Sequence, residues 1–411
     1  MKIRQVADHP TAERLSIASL STEFPNPCET GKGLFIRARL QAVAAKAHLT
    51  VVAPVALLDY ANPQNNLLAS LRIPKRRRDG RLEVLHPRWI YPPYGGWLNA
   101  FFLFARLLPP IARLRSRNAC DLIDAHFAHP EGIAAALLSG LFDVPFIVTI
   151  RGSELRYQQH RWKRHWMGWA LRRASRVIAV SENLFALAME LGVERRRAAV
   201  VPNGINPDVF FQRDQAVCRH RHGIDSGARV ILCAGDLAEL KGHHRVIVAV
   251  KALRASGTAA TLLIAGGVGR SGRYAASLRD LVNQNALGDC VSFLGEVQQA
   301  ALAELMCAAD VFCLASSTEG WPNVVNEALA CGTPVVATDV GAVRRMIVSP
   351  DFGLIVSVGD EQALVAALGV ALKRTWNRNA ISAHGRSRSW DQVADQVVEL
   401  ARSAIAEQRA E

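Results

Sequence analysis

The chain of 411 residues has no Asp-x-Asp motif, so no paired acids mark a divalent-cation site. Its eight cysteines are scattered, with no Cys-x-x-Cys pair and no zinc spacing. They read as reduced core thiols of a cytoplasmic protein. Long apolar runs are missing too. Residues 97–111 are interrupted by Arg106 and Pro109-Pro110, and residues 132–150 by Asp143 and Pro145, so neither is expected to span a bilayer. The opening MKIRQVADHPTAERLS is too polar for a signal peptide. There is no low-complexity segment and no repeat shorter than a domain. No zinc finger or RNA-recognition signature is present, and few aromatics interleave the basic runs, which argues against a nucleic-acid partner.

What is present is apolar residue, at 50%, and a length too great for one core. Together these predict a globular chain of two domains. Charge is uneven. Residues 1–205 carry 29 basic against 15 acidic side chains, and residues 206–411 carry 20 against 21. The excess sits in runs such as Lys75-Arg76-Arg77-Arg78 and Arg161 to Arg164. It suits an anionic membrane or a phosphorylated substrate, or is simply a solvated basic face.

Each half alternates short β-rich runs with helical stretches. Residues 14–21, 49–55, 122–127, 145–150 and 176–181 read as buried strands, as do 229–235, 260–266, 290–295, 311–316 and 333–339. Continuous apolar strands separated by helices imply α/β architecture: two Rossmann-like, doubly wound parallel sheets facing a cleft. The Pro/Asn/Gly-rich VPNGINPDVF (201–210) is the expected hinge. The expected divisions are residues 1–203, 204–379 and a C-terminal helical stretch 380–411.

In such sheets ligands meet the loops after the strands. The loop after the first strand ends in Gly31 and Gly33, and the loop after RVILCAG carries Lys241. GVGRSG (267–272) has dinucleotide spacing, but the acid that would hold a ribose, Asp289, precedes a strand rather than ending one. His126 and His129 lack a third ligand, so no metal is expected there. Without a metal, a diphosphate must be met by side chains and helix ends, and Lys241 lies ahead of an apolar helix where a lone cation is unfavourable. The stretch TEGWPNVVNEALACG places Glu319 before a helix, Asn323 as its cap, and Glu327 a turn inside. A phosphate at that N-terminus would meet backbone N–H groups near Val324 and Val325, with Glu327 facing a diol and Glu319 a sugar hydroxyl. The plain alternative is a structural helix with two incidental acids.

The segment TEGWPNVVNEALACGTPVVATDVGAVRRMI resembles the donor-binding segment of retaining GT-B glycosyltransferases of family four. There too, two Glu are separated by seven residues. GDLAELKGHH resembles the family's phosphate loop, and FPNPCETGKGLFIRARLQAVA, DAHFAHPEG and VTIRGSE resemble the acceptor half of members that build bacterial cell-surface polysaccharides. The resemblance runs from about residue 14 to the C-terminus.

It implies transfer of a sugar from a nucleotide-sugar to a hydroxyl of a glycan or lipid-linked acceptor, with retained configuration. No metal or other cofactor is implied. Glu327 would hold the ribose, Glu319 the donor sugar, and Lys241 the departing diphosphate. Gly320, Asn323, Val324 and Val325 would line sugar and phosphates, Phe293 and Leu294 would border the base, and Gly31 and Gly33 would close over the diphosphate. His126 and Glu154 fall on the acceptor side. The C-terminal stretch would pack back across the hinge.

Two positions depart from the family pattern. Asp236 stands where many members have Arg, which removes a cation from the donor site. Arg151 stands where many have His, and a guanidinium is no general base at neutral pH. Arg151 is instead expected to hold a phosphate or a sugar hydroxyl. A non-catalytic glycan- or nucleotide-binding relative is the alternative reading, with Asp236 as its first support. A phosphorylase or epimerase of the same fold is another. The basic N-terminal half is expected to face the inner membrane surface of a cytoplasmic protein. Residues 97–117 would then be either an interfacial helix or a core helix with a basic end.

Overall fold

The structure is a computed structural model that describes residues 14–57, 67–90, 96, 98–268 and 272–410. In the first half, β1 (Ser16–Leu20), β2 (His48–Val52), β3 (Val55–Ala56), β4 (Arg76–Asp79), β5 (Leu82–Leu85) and β6 (Arg88–Trp89) come first. They are followed by β7 (Leu122–His126), β8 (Phe146–Ile150), β9 (Arg176–Ala179) and β10 (Ala198–Val200). The second half holds β11 (Arg229–Ala234), β12 (Ala260–Ala265), β13 (Val291–Gly295), β14 (Val311–Leu314), β15 (Val335–Thr338) and β16 (Gly353–Val356).

Every run read as a strand holds one; β7, β8, β9, β14 and β15 are buried throughout, whereas β13, at the edge of its sheet, leaves Ser292, Leu294 and Gly295 exposed. The first sheet runs β10-β9-β8-β7-β1-β2-β5-β4 and the second β13-β12-β11-β14-β15-β16. Both are parallel except for the β4–β5 hairpin. That hairpin was hidden in the basic run. Arg76 and Arg78 point outward on an edge strand, where charge discourages further pairing. The Asp79-Gly80 turn, with Gly80 at φ 57°, joins it to β5.

Strand order reverses beside β1 in the first sheet and beside β11 in the second. The loops after β1 and β7, and those after β11 and β14, therefore open at the two switch points where ligands of such sheets bind. The C-terminal stretch is two helices, Arg378–Gly385 and Trp390–Ala410. The second buries Val393, Val397 and Ala401 in the core of the first domain, with Ile36, Leu40 and Val51. Residues 201–210 form an irregular connection, and Ile205 bridges to Ser389. Of the eight cysteines all are free and seven are buried; Cys28 is exposed, so it is not a core thiol.

Helix Asn99–Arg115 continues through Pro109 and Pro110 and buries Leu103, Leu107 and Ile111 completely. Its apolar face belongs to the core of the first domain. The core-helix reading of this segment therefore holds, and an inserted interfacial helix does not; Trp97 lies outside the described residues. No helix among the described residues is long and apolar enough to cross a membrane.

Candidate functional site

The switch point of the second sheet brings Lys241 and Glu319 together across 78 residues of sequence. The turn Glu239–Lys241 ends on Gly242 at φ 69°, where a side chain would strike the Ala315 backbone. That close approach sets Lys241 Nζ 2.7 Å from Glu319 Oε1. Ser316 Oγ donates to the same oxygen at 2.8 Å. Both bonds fall on Oε1, so Oε2 remains for a ligand hydroxyl.

Helix Asn323–Ala330 begins four residues after Glu319. Its N-cap is Pro322, with no side-chain cap. Asn323 does not cap as its sequence position suggested: its Oδ1 accepts from Asn203 Nδ2 at 3.0 Å instead. No side chain caps the first turn, although Val325 N–H bonds back to the Pro322 carbonyl at 3.0 Å. Such an end attracts anions. One turn in, the Glu327 carboxylate makes no hydrogen bond or ion pair among the described residues. It keeps some exposed surface, yet crowding pushes its pKa up to about 7. An acid in that state gains from hydroxyl donors such as a ribose diol. On β13, Phe293 lies under the Arg279 guanidinium at 5.1 Å, and Leu294 is 38% exposed.

Asp236 is exposed, and its carboxylate has no partner among the described residues. Gly269 to Ser271 of GVGRSG lie outside the described residues.

From the first domain, the end of β8 presses against the Glu319 loop. A Cβ on Gly320 would sit 2.2 Å from the Arg151 carbonyl oxygen, so only glycine permits this approach. Arg151 itself is 8% exposed. It donates to Asn203 Oδ1 at 3.1 Å and to His126 Nδ1 at 3.0 Å. Its guanidinium also lies over the Phe35 ring at 5.2 Å. Accepting at Nδ1 leaves His126 to carry its proton on Nε2, which faces Asp124 at 3.2 Å and Ser19 at 3.1 Å. Burial lowers the His126 pKa to about 4, so it stays neutral, and neighbouring cations hold Asp124 ionised despite its burial.

His126 and Glu154, read as acceptor-side residues, are wholly buried behind Arg151. Glu154 accepts the backbone N–H groups of Ala128, Arg151 and Gly152 and so fixes this strand end. Gly33, at φ 60°, is required because a Cβ would meet Glu23 O. Gly31 approaches Glu296 of the second domain, which makes its loop one edge of the cleft.

Three residues were not singled out from the sequence. Asn203 bridges Arg151 to Asn323, and nothing in its surroundings in the chain announces partners 52 and 120 residues away. Trp321 packs against the cores of both domains. Glu131 is 1% exposed and accepts from Thr22 N and Oγ1 at 2.8 and 2.6 Å, while its other oxygen has no partner. Burial raises its pKa to about 8.

Comparison with known proteins fits this arrangement. Residues 214–388 match the family described as glycosyl transferases group 1, and residues 67–209 match glycosyltransferase family 4. A D-inositol 3-phosphate glycosyltransferase of Corynebacterium urealyticum is 30% identical over 303 residues, 69% of this chain and 71% of that protein. A Bacillus subtilis protein assigned to teichuronic acid biosynthesis as a glycosyltransferase is 28% identical over 364 residues, 86% of this chain and 88% of the relative. Among solved structures, Anabaena Alr3699/HepE in complex with UDP and glucose superposes with a TM-score of 0.72 at 20% identity, over 95% of this chain and 100% of that one. The fold is thus GT-B, and the chain belongs to the group 1 glycosyltransferases.

Proposed function

We propose that the protein transfers a sugar from a nucleotide-sugar to a hydroxyl of a glycan or lipid-linked acceptor, with retention and without a metal, in cell-surface polysaccharide assembly. The observation that carries this reading is the Lys241–Glu319 pair, 2.7 Å apart, beside the uncapped start of helix Asn323–Ala330. A leaving diphosphate there would meet one ammonium and a set of backbone N–H groups. Stabilising that charge is the largest lever on such a reaction. Glu319, neutralised by Lys241 and fixed by Ser316, would use Oε2 to orient the donor sugar. Glu327 would hold the ribose, and Gly320, Asn323, Val324 and Val325 would line the sugar and phosphates. Phe293 and Leu294 would border the base, and Gly31 and Gly33 would close over the diphosphate. Asp236 would lie at the donor edge, and Arg151, backed by His126 and Glu154, would face the donor from the acceptor domain.

A surface-polysaccharide role is supported by the teichuronic acid relative. Use of a uridine nucleotide is supported by the likeness to a structure holding UDP and glucose. The test is thermal stabilisation by nucleoside diphosphates and nucleotide-sugars, with chelator and no added metal, in wild type and Glu327→Ala. One nucleotide-sugar should raise the melting temperature of the wild type only. Stabilisation by none would favour a non-catalytic relative.

A further inference from the structure

Arg151 is the feature of the cleft that the reading above leaves least explained. The residue is 8% exposed, and no carboxylate lies within 4 Å of its guanidinium among the described residues. The two nearest acids are engaged elsewhere. Asp124 faces Arg39 at 3.6 Å and His126 at 3.2 Å. Glu154 accepts three backbone N–H groups. Arg151 Nε has no hydrogen-bond partner among the described residues. Its remaining contacts are neutral: His126, Asn203 and the Phe35 ring. Lys241, by contrast, is already paired with Glu319. Asp124 and Glu154 offset its charge only from beyond 4 Å, against the like charge of Arg39, and a desolvated cation with no direct ion pair is characteristically completed by a bound anion.

We propose that Arg151 reads a carboxylate on the transferred sugar, so that the donor is a nucleotide-linked uronic acid. The inference rests on the donor site described above. The Arg151 backbone touches Gly320, and its side chain reaches Asn323 through Asn203, both at the end of the site where the sugar would lie. The diphosphate has its own partners in Lys241 and the helix start. A carboxylate accepts paired, charge-assisted hydrogen bonds from a guanidinium, whereas a neutral hydroxymethyl group at the same place offers it no direct ion pair.

The experiment measures binding of UDP, UDP-glucose and UDP-glucuronic acid, together with GDP-mannose and GDP-mannuronic acid, by calorimetry. Wild type should bind one uronic donor at least about tenfold tighter than its neutral counterpart, the worth of one charge-assisted hydrogen bond. Arg151→Gln, shown folded by circular dichroism, should lose that preference. Equal binding of the neutral and uronic donors by wild type overturns the proposal, whatever the variant does. So does a uniform loss across UDP and both of its sugars in Arg151→Gln, which would place the guanidinium on the diphosphate. If no nucleotide binds wild type, the donor site itself falls and this proposal with it.

Discussion

At the scale of single residues, two acids with raised pKa values make the sharpest predictions. Glu327 has its pKa raised from 4.5 to about 7. The folded chain therefore keeps a proton that the unfolded chain has lost, and stability falls as pH rises from about 4.5 through 7. A ribose diol binds the ionised form, so nucleotide affinity should rise over the same step. Glu327→Gln should weaken nucleotide binding and flatten both profiles, measured as melting temperature and affinity between pH 5.5 and 8.5. An unchanged slope in the variant would remove Glu327 from the site.

Glu131, with its pKa raised from 4.5 to about 8, obeys the same sign over a wider window. Glu131→Gln removes the buried charge and should be the more stable form above pH 8, by on the order of 1–3 kcal/mol. A melting temperature at or below wild type at pH 9 would contradict this. The sequence made Glu319, Glu327 and Lys241 legible because each sits beside a helix start, where charge has a stated effect. It could not make Asn203 or the Arg151–His126 contact legible. Those partners come from different strand ends and meet only once the sheets are built.

At the scale of elements, the pattern of apolar runs carried the strands, and the local chemistry of loops carried the errors. Asn323 looked like a cap because Asn at a helix start accepts from the first turn, but a partner from the other domain competes for the same oxygen. The β4–β5 hairpin was obscured because a charged edge strand and a solvated basic run share one composition. Pro109 and Pro110 break the apolar run of residues 97–111 but not the helix: burial of Leu103, Leu107 and Ile111 outweighs the backbone hydrogen bonds the prolines remove.

The contact of the Glu319 loop with the end of β8 can be tested directly. In Gly320→Ala the new Cβ would meet the Arg151 carbonyl at 2.2 Å, with backbone on both sides, so the domains must separate locally. Turnover should fall at least about tenfold, as misplacement of such a group costs. Global stability should change less than turnover, because the clash is with the Arg151 and Gly152 backbone at the seam between the domains and not inside either sheet. Scattering and melting curves alongside the activity assay would check this, and an unimpaired variant would show that the contact is incidental.

At the scale of the whole molecule, the charge asymmetry finds a location that its totals could not supply. Helices Asn99–Arg115 and Arg161–Arg173 touch through Phe101 and Trp166, with ring centroids 5.2 Å apart. Neither helix contains an acid. Arg106, Arg113, Arg161, Arg164, Arg172 and Arg173 make no ion pair among the described residues. Phe102 and Trp162 are 39% and 40% exposed beside them. Arg161, Arg164, His165 and Arg172 line one side of a cavity of about 330 Å³ whose only acid is Glu190.

The sequence reading placed membrane contact on the apolar side of residues 97–117, which the fold buries. Exposed on these two helices are Phe102, Arg106, Arg113, Arg161, Trp162, Arg172 and Arg173, so a membrane contact would have to use those side chains. Cations with interleaved aromatics suit an anionic bilayer surface, each basic group adding about 1 kcal/mol at moderate ionic strength. The protein should therefore float with vesicles containing phosphatidylglycerol and not with phosphatidylcholine alone, and should be released as salt rises. The triple variant Arg161→Gln, Trp162→Ala, Arg164→Gln should lose most of this binding while its nucleotide stabilisation is kept. Flotation that is indifferent to lipid charge, or unchanged in the triple variant, would return this face to the status of a solvated surface.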